Sequence, residues 1–141
     1  MADIGITASA VKPANANTVI GRGIAGGTIN AGEAVFADPA DGYKLKQALS
    51  SNQTQSNNVV GIALNSAWAD QPLAYVISGD VTVNAVLTAA TVYVLGSGAG
   101  RISASADLDA SSGTRYGVVL GISTSTTNLR VGVIMSGALN P

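Results

Sequence analysis

The sequence lacks two chemically important residue types, because it contains neither cysteine nor histidine. Without cysteine it forms no disulfide and no thiolate metal site, and without histidine it lacks the usual general base and the commonest nitrogen ligand. A nucleophilic serine would have to rely on Lys12, Lys44 or Lys46, none of which lies in a recognisable motif. We therefore expect a chain that is not an enzyme, holds no cofactor or metal, and has no small-molecule substrate.

Charged and aromatic residues are also scarce. Charged residues make up 11% of the chain, against roughly 25% in an ordinary soluble domain. The net charge of -1 gives no basic patch for nucleic acid or an anionic membrane. No apolar run approaches the length of a membrane helix, and residues 1–13 lack an apolar stretch long enough for a signal peptide. We expect a protein made in the cytoplasm whose weakly charged surface contacts other proteins.

Short strands are favoured by the local pattern of the 141 residues, a length that suits one domain. Gly, Asn, Asp, Ser and Pro clusters recur about every ten residues, and Val, Ile and Thr dominate between them. The side chains of residues 128–137 alternate between the two faces of a strand. Ile134 shares one of these faces with Gly132, which predicts a strand buried on both sides. Helical turns are predicted only at residues 43–51 and 105–113. The sequence predicts an all-β fold.

A sequence pattern occurs twice in the chain. "VVGIAL…ISGDV" at residues 59–81 returns as "VVLGIS…IMSGAL" at residues 118–139, and residues 28–45 similarly match residues 86–103. The order and the spacing near sixty residues are kept, so we predict two tandem β-units of about four strands, at about 28–85 and 86–141. They would form one small sandwich or barrel, preceded by an extended arm at residues 1–27. Chance resemblance between Val- and Gly-rich segments is the alternative.

A glycine-rich run has the spacing of a dinucleotide-binding fingerprint at Gly21, Gly23 and Gly26. That motif requires a helix directly after the glycines. The residues that follow include further glycines and Pro39, and no helix fits them. The run is therefore interpreted as a strand edge or a turn.

Two carboxylate pairs have simple local explanations. Asp38 and Asp41 flank a Pro-Ala pair before Gly42, which is typical of a turn. Asp107 and Asp109 are interpreted as part of a short helix, with Asp107 as its cap. Calcium binding is the alternative for either pair, but such a site needs more oxygen ligands than one pair supplies.

Trp68 is the tryptophan of the chain and stands in "SAWADQP", which has no counterpart in the second copy of the pattern. One interpretation places it in the core or as a cap on the end of the sheet. The other places it in an interface, since Trp is enriched in binding hot spots. The residue pattern leaves both interpretations open.

Three segments together resemble the capsid decoration proteins, also called cement or head-stabilising proteins, of tailed bacteriophages. They are Ala-Gly-x-x-Val at residues 31–35, Val-Gly-Ile-Ala at 60–63 and Ile-Ser-Gly-x-Val at 77–81. The resemblance extends over residues 28–137 and is looser in the second copy. It implies a β-rich homotrimer, assembled in the host cytoplasm, that binds the major capsid protein on the outer surface of the virion. There it would bridge neighbouring capsomers and stabilise the head.

The resemblance carries over no individual contact residue, so candidate contacts are chosen by position. They lie in the expected arm and around the tryptophan: Ile4, Ile6, Val11, Lys12, Pro13, Val19, Ile20, Arg22, Trp68 and Asp70. A receptor- or glycan-binding β module of a phage fibre or cell surface is the alternative function.

Overall fold

A computed structural model describes residues 3–84, 86–106 and 115–139. Within them, ten antiparallel strands form one sheet that curls into a half-barrel, which confirms the all-β prediction. The strands are β1 (Lys12–Pro13), β2 (Val19–Ile24), β3 (Ala34–Asp38), β4 (Lys44–Gln47), β5 (Val59–Ala63), β6 (Pro72–Thr82), β7 (Val92–Leu95), β8 (Ile102–Ala104), β9 (Tyr116–Ser123) and β10 (Asn128–Leu139). Short helical turns occur at α1 (Gln53–Ser56) and at the 3₁₀ turns Ala8–Ala10 and Pro39–Asp41.

Two sets of four strands follow the same internal order. Through hydrogen-bonded neighbours the path is β4-β3-β5-β6-β10-β9-β7-β8. In each set the first strand lies between the second and third, the third pairs with the fourth, and the two fourth strands join the sets. Gly42 and Gly100 both have positive φ angles, of 61° and 73°, at the matching turns. The division into an arm and two repeated units remains a prediction, and this strand order is the one that such units would have.

Strand β6 is the centre of the sheet because it pairs with four other strands, β1, β2, β5 and β10. Tyr75 pairs with β2 and with β5, and Ser78 pairs with β2 and with β10. One edge of β6 therefore carries β2 and then β1, and the other carries β5 and then β10.

The hydrophobic core has two parts because β3 alternates between the two faces of the sheet. Phe36 lies in the larger cluster, with Ile62, Leu95 and Leu120, while its neighbour Val35 lies in the smaller one. The smaller cluster also contains Ala25, Ile29, Leu45, Ala63, Ala67 and Leu73. Residues 25–29 and the loop before β6 thus cover the second face of the first set of strands.

Residues 3–27 pack on the sheet of their own chain. Ile4 donates its N–H to the carbonyl of Ile102 at 2.8 Å, and Gly26 donates to Leu45 at 2.7 Å. These two contacts cover β8 and β4, the two end strands of the sheet path. An exposed edge strand is a template for aggregation, so this segment protects both ends of the sheet.

Two local predictions are wrong. Residues 43–51 do not form a helical turn, because Lys44–Gln47 pair with β3 as strand β4. Strand β10 is not buried on both sides: Ile134 is 66% exposed, and a register irregularity between Val131 and Ile134 interrupts the alternation. Tertiary pairing and the bulge override the local pattern in these places. Most of the other predicted helical turn, at residues 105–113, lies outside the described residues.

The turn and glycine interpretations are confirmed. The carboxylate Oδ1 of Asp38 accepts the N–H of Ala40 at 3.0 Å, and the turn ends at the left-handed Gly42. Gly21 and Gly23 lie within β2, which is followed by a bend and not by a helix. Within the described part of the chain, no helix combines the length and the apolar character needed to cross a bilayer.

Candidate interaction site

Two exposed aromatic side chains lie on loops that an ion pair joins. Trp68 is 69% exposed and Tyr43 is 67% exposed. The Nζ of Lys44 lies 2.8 Å from Oδ1 of Asp70, so the β3–β4 turn is tied to the loop before β6. We call Tyr43, Lys44, Trp68 and Asp70 the aromatic tip. The core interpretation of Trp68 is wrong, since most of the side chain faces solvent, and its interpretation as a cap on the end of the sheet stays a prediction.

The β3–β4 turn presents Tyr43 in an unusual backbone conformation. Both Gly42 and Tyr43 have φ angles of 61°. A left-handed residue with a Cβ costs roughly 1–2 kcal/mol. The N–H of Tyr43 donates to the carbonyl of Asp38 at 2.8 Å, and Lys46 Nζ contacts Asp38 at 2.8 Å and Asp41 at 3.0 Å. These contacts hold the strained turn, and the two carboxylates are engaged by a lysine.

The loop that carries Trp68 is fixed by backbone hydrogen bonds. The N–H of Trp68 donates to Oε1 of Gln71 at 2.8 Å, and the N–H of Gln71 donates back to the Trp68 carbonyl at 3.0 Å. Asp70, with φ of 68°, donates to the carbonyl of Ala25 at 2.7 Å. Ala67 is buried beneath the loop. Trp68 is therefore presented on a supported loop, and strained residues of this kind concentrate at functional sites.

The charges of the aromatic tip are paired with one another. The hydrogen bond from Lys44 lowers the pKa of Asp70, and the same bond raises the pKa of Lys44. Similarly, the hydrogen bond from Lys46 lowers the pKa of Asp38. All of these groups are charged at neutral pH. Exposed aromatic rings beside a neutral ion pair have the composition of a protein-binding surface.

A second exposed surface lies on the other set of strands. A shallow groove of about 270 Å³ is lined mainly by apolar residues of β7, β9 and β10. Ile134 is 66% exposed and Ile122 is 44% exposed, while Val92 and Val119 are half-buried beside them. We call these four side chains the apolar groove. The loop between β9 and β10 is only residues 124–127, so it does not cover this face as the longer loop before β6 covers the first set.

One ion pair borders the apolar groove. Arg130 lines it and donates from Nε and Nη2 to the two carboxylate oxygens of Asp80, at 2.8 and 3.2 Å. The hydrogen bond from Arg130 holds the pKa of Asp80 below its ordinary value. The guanidinium charge is therefore balanced within the chain, and the surface is suited to an apolar partner.

The predicted contact residues are dispersed. Only Trp68 and Asp70 belong to the aromatic tip. Ile4 and Ile6 pack on the larger core and Val11 is 9% exposed, while Lys12 and Pro13 are exposed in β1. In β2, Val19 is 50% exposed, Ile20 is half-buried, and Arg22 is exposed.

Tyr43 and Lys44 were not predicted as site residues, and neither were the groove residues Ile122 and Ile134. The two loops are joined by the ion pair of Lys44 with Asp70, residues 26 positions apart, and the sequence carries no local signal for that contact. The spacing of Gly42 after Asp38-Pro39 was a signal for the turn itself. The exposure of Ile134 follows from a bulge that alternation cannot predict.

The remaining chemistry is sparse. Among residues 3–84, 86–106 and 115–139, no three His, Cys, Asp or Glu side chains converge as they would at a metal site. Asp107 and Asp109 lie outside the described residues.

Comparisons of the chain with protein families, with curated proteins and with solved structures find no match.

Proposed function

We propose that this chain is a structural virion protein that binds the outside of a bacteriophage capsid and bridges neighbouring coat-protein capsomers. The observation that carries the proposal is the presence of two separate exposed surfaces, the aromatic tip and the apolar groove. They lie on different sets of strands of one sheet. A protein that bridges two partners needs two such surfaces, whereas a simple binding module needs one.

The composition of both surfaces supports binding to protein. Trp and Tyr are enriched in interface hot spots, and charged residues are depleted at interface cores. In the aromatic tip the charges of Lys44 and Asp70 neutralise each other, and Arg130 beside the groove is neutralised by Asp80. The sequence resemblance to capsid decoration proteins supports the same proposal and adds the expectation of a homotrimer. Several weak contacts per trimer would combine into firm attachment.

The proposal predicts that this reading frame lies beside that of a major coat protein, and the test uses empty capsids assembled from that protein. The purified chain should sediment with these capsids and raise the temperature at which they dissociate. Substitution Ile134→Asp should weaken sedimentation, because it places a charge in the apolar groove. Thr54→Ala on the exposed surface of α1 is the matched control and should sediment like the unaltered chain. Capsids that neither bind the chain nor gain stability would contradict the proposal.

A second candidate is a receptor- or glycan-binding module, favoured by the aromatic tip alone. An exposed Trp and Tyr beside a Lys–Asp pair offer flat apolar faces next to polar groups, which a sugar or a receptor loop can use. This function predicts binding to whole bacterial cells or to purified surface glycans that is lost in Trp68→Ala but kept in Ile134→Asp. Capsid binding is sensitive to both substitutions, so the pair distinguishes the two candidates.

A further inference from the structure

The carboxylate of Asp3 occupies a cradle of four hydrogen-bond donors. Oδ1 accepts the N–H of Ser97 at 2.9 Å and the hydroxyl of Ser103 at 2.8 Å. Oδ2 accepts the hydroxyl of Ser97 at 3.0 Å and the N–H of Gly98 at 3.1 Å. Converging backbone N–H groups in a turn form an anion-binding concavity. We call Ser97, Gly98 and Ser103 the carboxylate cradle.

The residues after Asp3 continue this contact along the end strand of the sheet. Asp3 pairs with Ser103 in antiparallel register, and Ile4 donates to the Ile102 carbonyl at 2.8 Å. Asn84 accepts the N–H of Thr7 at 2.8 Å and donates to the Gly5 carbonyl at 3.1 Å. We call residues 3–7 the strap. Its partners stand 77 to 100 positions away in the sequence, so their geometry does not require that the strap belong to the same chain.

A short turn separates the strap from the body of the sheet. Residues Ala8–Ala10 form a single 3₁₀ turn with no side-chain cap and no buried residue. The next residue, Val11, is buried in the larger core, and Lys12 and Pro13 pair with β6. Val11 is the first buried residue of the chain's described part, whereas Ile4, Ile6 and Ala8 are only partly buried against the same core. We take the 3₁₀ turn as the hinge, whose own backbone bonds run from Ala10 to Thr7 and from Val11 to Ala8.

The strap borders a pocket that is partly open to solvent. The pocket has a volume of about 170 Å³ and is lined by residues that include Ile4, Ile6, Glu33 and Arg101. Ile4 and Ile6 are half-buried against the larger core, so the strap depends on its hydrogen bonds as well as on apolar packing. The strap of a second copy would make the same contacts.

We propose that the strap is exchanged between copies of this chain, so that residues 3–7 of one copy occupy the carboxylate cradle and β8 edge of the next. A second copy is the occupant that the site fits, because the cradle, the β8 edge and Asn84 already match these five residues. Exchange of an identical element is a low-cost route to assembly, and the pairing is a form of strand addition. The exchange is independent of the capsid proposal, because it concerns contacts between copies of this chain.

Disulfide trapping tests the exchange. If the antiparallel register of Asp3 with Ser103 is continued by two residues, Gly5 stands opposite Arg101 as a pair that exchanges no backbone hydrogen bonds. In a regular ladder such pairs have Cα separations of about 4.5 Å, which a disulfide spans, and a Cβ at position 5 meets no atom within 4 Å. The chain has no cysteine of its own, so in the double variant Gly5→Cys/Arg101→Cys only the introduced pair reacts. The three cradle residues are kept in this variant, whereas Arg101→Cys removes one strap contact, the 3.0 Å hydrogen bond from the Arg101 guanidinium to the Ile4 carbonyl.

The double variant is oxidised over a series of protein concentrations and analysed on denaturing, non-reducing gels. Exchange gives covalent dimers for a reciprocal pair, or trimers for a closed ring of three. In the dilute range, a tenfold rise in concentration should raise the ratio of linked to unlinked chains about tenfold for dimers and about a hundredfold for closed trimers. Intrachain disulfides alone at every concentration would overturn the proposal.

Two further samples complete the test. The double variant Arg22→Cys/Ala74→Cys joins paired residues of β2 and β6 beyond the hinge, and it should give intrachain disulfides only. Interchain links in that variant would mean that the whole sheet opens, and would contradict a hinge at Ala8–Ala10. A mixture of the single variants Gly5→Cys and Arg101→Cys, with different mass tags, should yield a mixed disulfide. The absence of this mixed product from folded single variants would also overturn the exchange.

Discussion

Arg130 and Asp80 form a two-pronged ion pair across strands β10 and β6, with Nε and Nη2 of the guanidinium at 2.8 and 3.2 Å from the two carboxylate oxygens. Asp80 is only 5% exposed and also accepts a hydrogen bond from Asn15 at 2.7 Å. One carboxylate therefore holds together the two sets of strands and the segment before β2. Paired hydrogen bonds of this geometry are stronger than neutral ones.

Asp80→Asn should lower the free energy of unfolding by about 1–3 kcal/mol, because the buried hydrogen bonds to position 80 then lose their charged acceptor. Urea unfolding monitored by circular dichroism measures the loss. In a double-mutant cycle with Arg130→Gln, the double variant should lose less than the sum of the single losses. Strict additivity would mean that the pair contributes nothing beyond its separate groups. The exposed pair Lys44–Asp70 is the matched control, where near-additivity is expected.

Stability should fall in acid because four carboxyl groups, those of Asp3, Asp38, Asp70 and Asp80, have lowered pKa values. The hydrogen bond from Arg130 lowers the pKa of Asp80. Burial opposes ionisation of Asp3, but the bonds from Ser97, Ser103 and Gly98 outweigh it and its pKa is also lowered. A lowered folded pKa stabilises the fold above the unfolded value of about 3.9, and this stability is lost as the pH falls through the folded pKa. Urea midpoints should therefore be flat near neutrality and decline below about pH 4. Asp80→Asn should flatten the decline, and an unchanged slope would exclude Asp80 as its source.

Two glycines, Gly61 and Gly121, lie so close to the backbone of a neighbouring strand that a side chain there should destabilise the fold. A Cβ on Gly61 would collide with the backbone carbonyl of Val76, and one on Gly121 with the carbonyl of Arg130. Gly61→Ala and Gly121→Ala should each destabilise the fold by about 1–3 kcal/mol or more, because backbone has to move. Gly132→Ala is the control, since a Cβ there meets no atom within 4 Å. Alanine in that strand should be neutral or stabilising by about 0.5–1 kcal/mol. Equal effects at all three positions, measured by thermal unfolding, would contradict this steric account.

The parts of the fold that sequence predicts correctly are those with local causes. Asp38, Pro39 and Gly42 specify their turn by side-chain capping and backbone preference, so the turn was predictable. The all-β class follows from short Val-rich runs between glycines. In contrast, residues 43–51 were predicted as helical, because only the long-range pairing of Lys44–Gln47 with β3 decides for a strand. The ion pair of Lys44 with Asp70, which joins the turn of Tyr43 to the loop of Trp68, is also a long-range contact. Half of the aromatic tip was therefore not predicted.

Deleting residues 1–27 should yield a chain that aggregates. The deletion removes β1 and β2 from one edge of β6, and it uncovers both end strands, β4 and β8. Unpaired edges and bared apolar surface lead to association between sheets. Light scattering of the refolded chain should show large particles, whereas Asp3→Ala, which removes only the cradle contact, should remain soluble. A soluble, folded deletion variant would show that the segment is dispensable for the sheet.

Substitution of Trp68 should weaken capsid binding while leaving the stability of the fold unchanged. Because 69% of the side chain is exposed, Trp68→Ala should change the free energy of unfolding by no more than about 0.5 kcal/mol. Exposed tryptophans that serve as hot spots lose at least about 2 kcal/mol of binding energy on truncation, which is roughly thirtyfold in affinity. Capsid sedimentation of Trp68→Ala should therefore weaken by that factor while its urea midpoint stays constant.

Tyr43→Ala should weaken binding in the same direction, and it should raise the free energy cost of the left-handed turn only slightly, since both residues carry a Cβ. Thr54→Ala, at an exposed position of α1 outside the aromatic tip, should leave both measurements unchanged. If Trp68→Ala binds capsids as well as Thr54→Ala does, the aromatic tip is not a capsid contact, and the apolar groove alone would have to account for attachment.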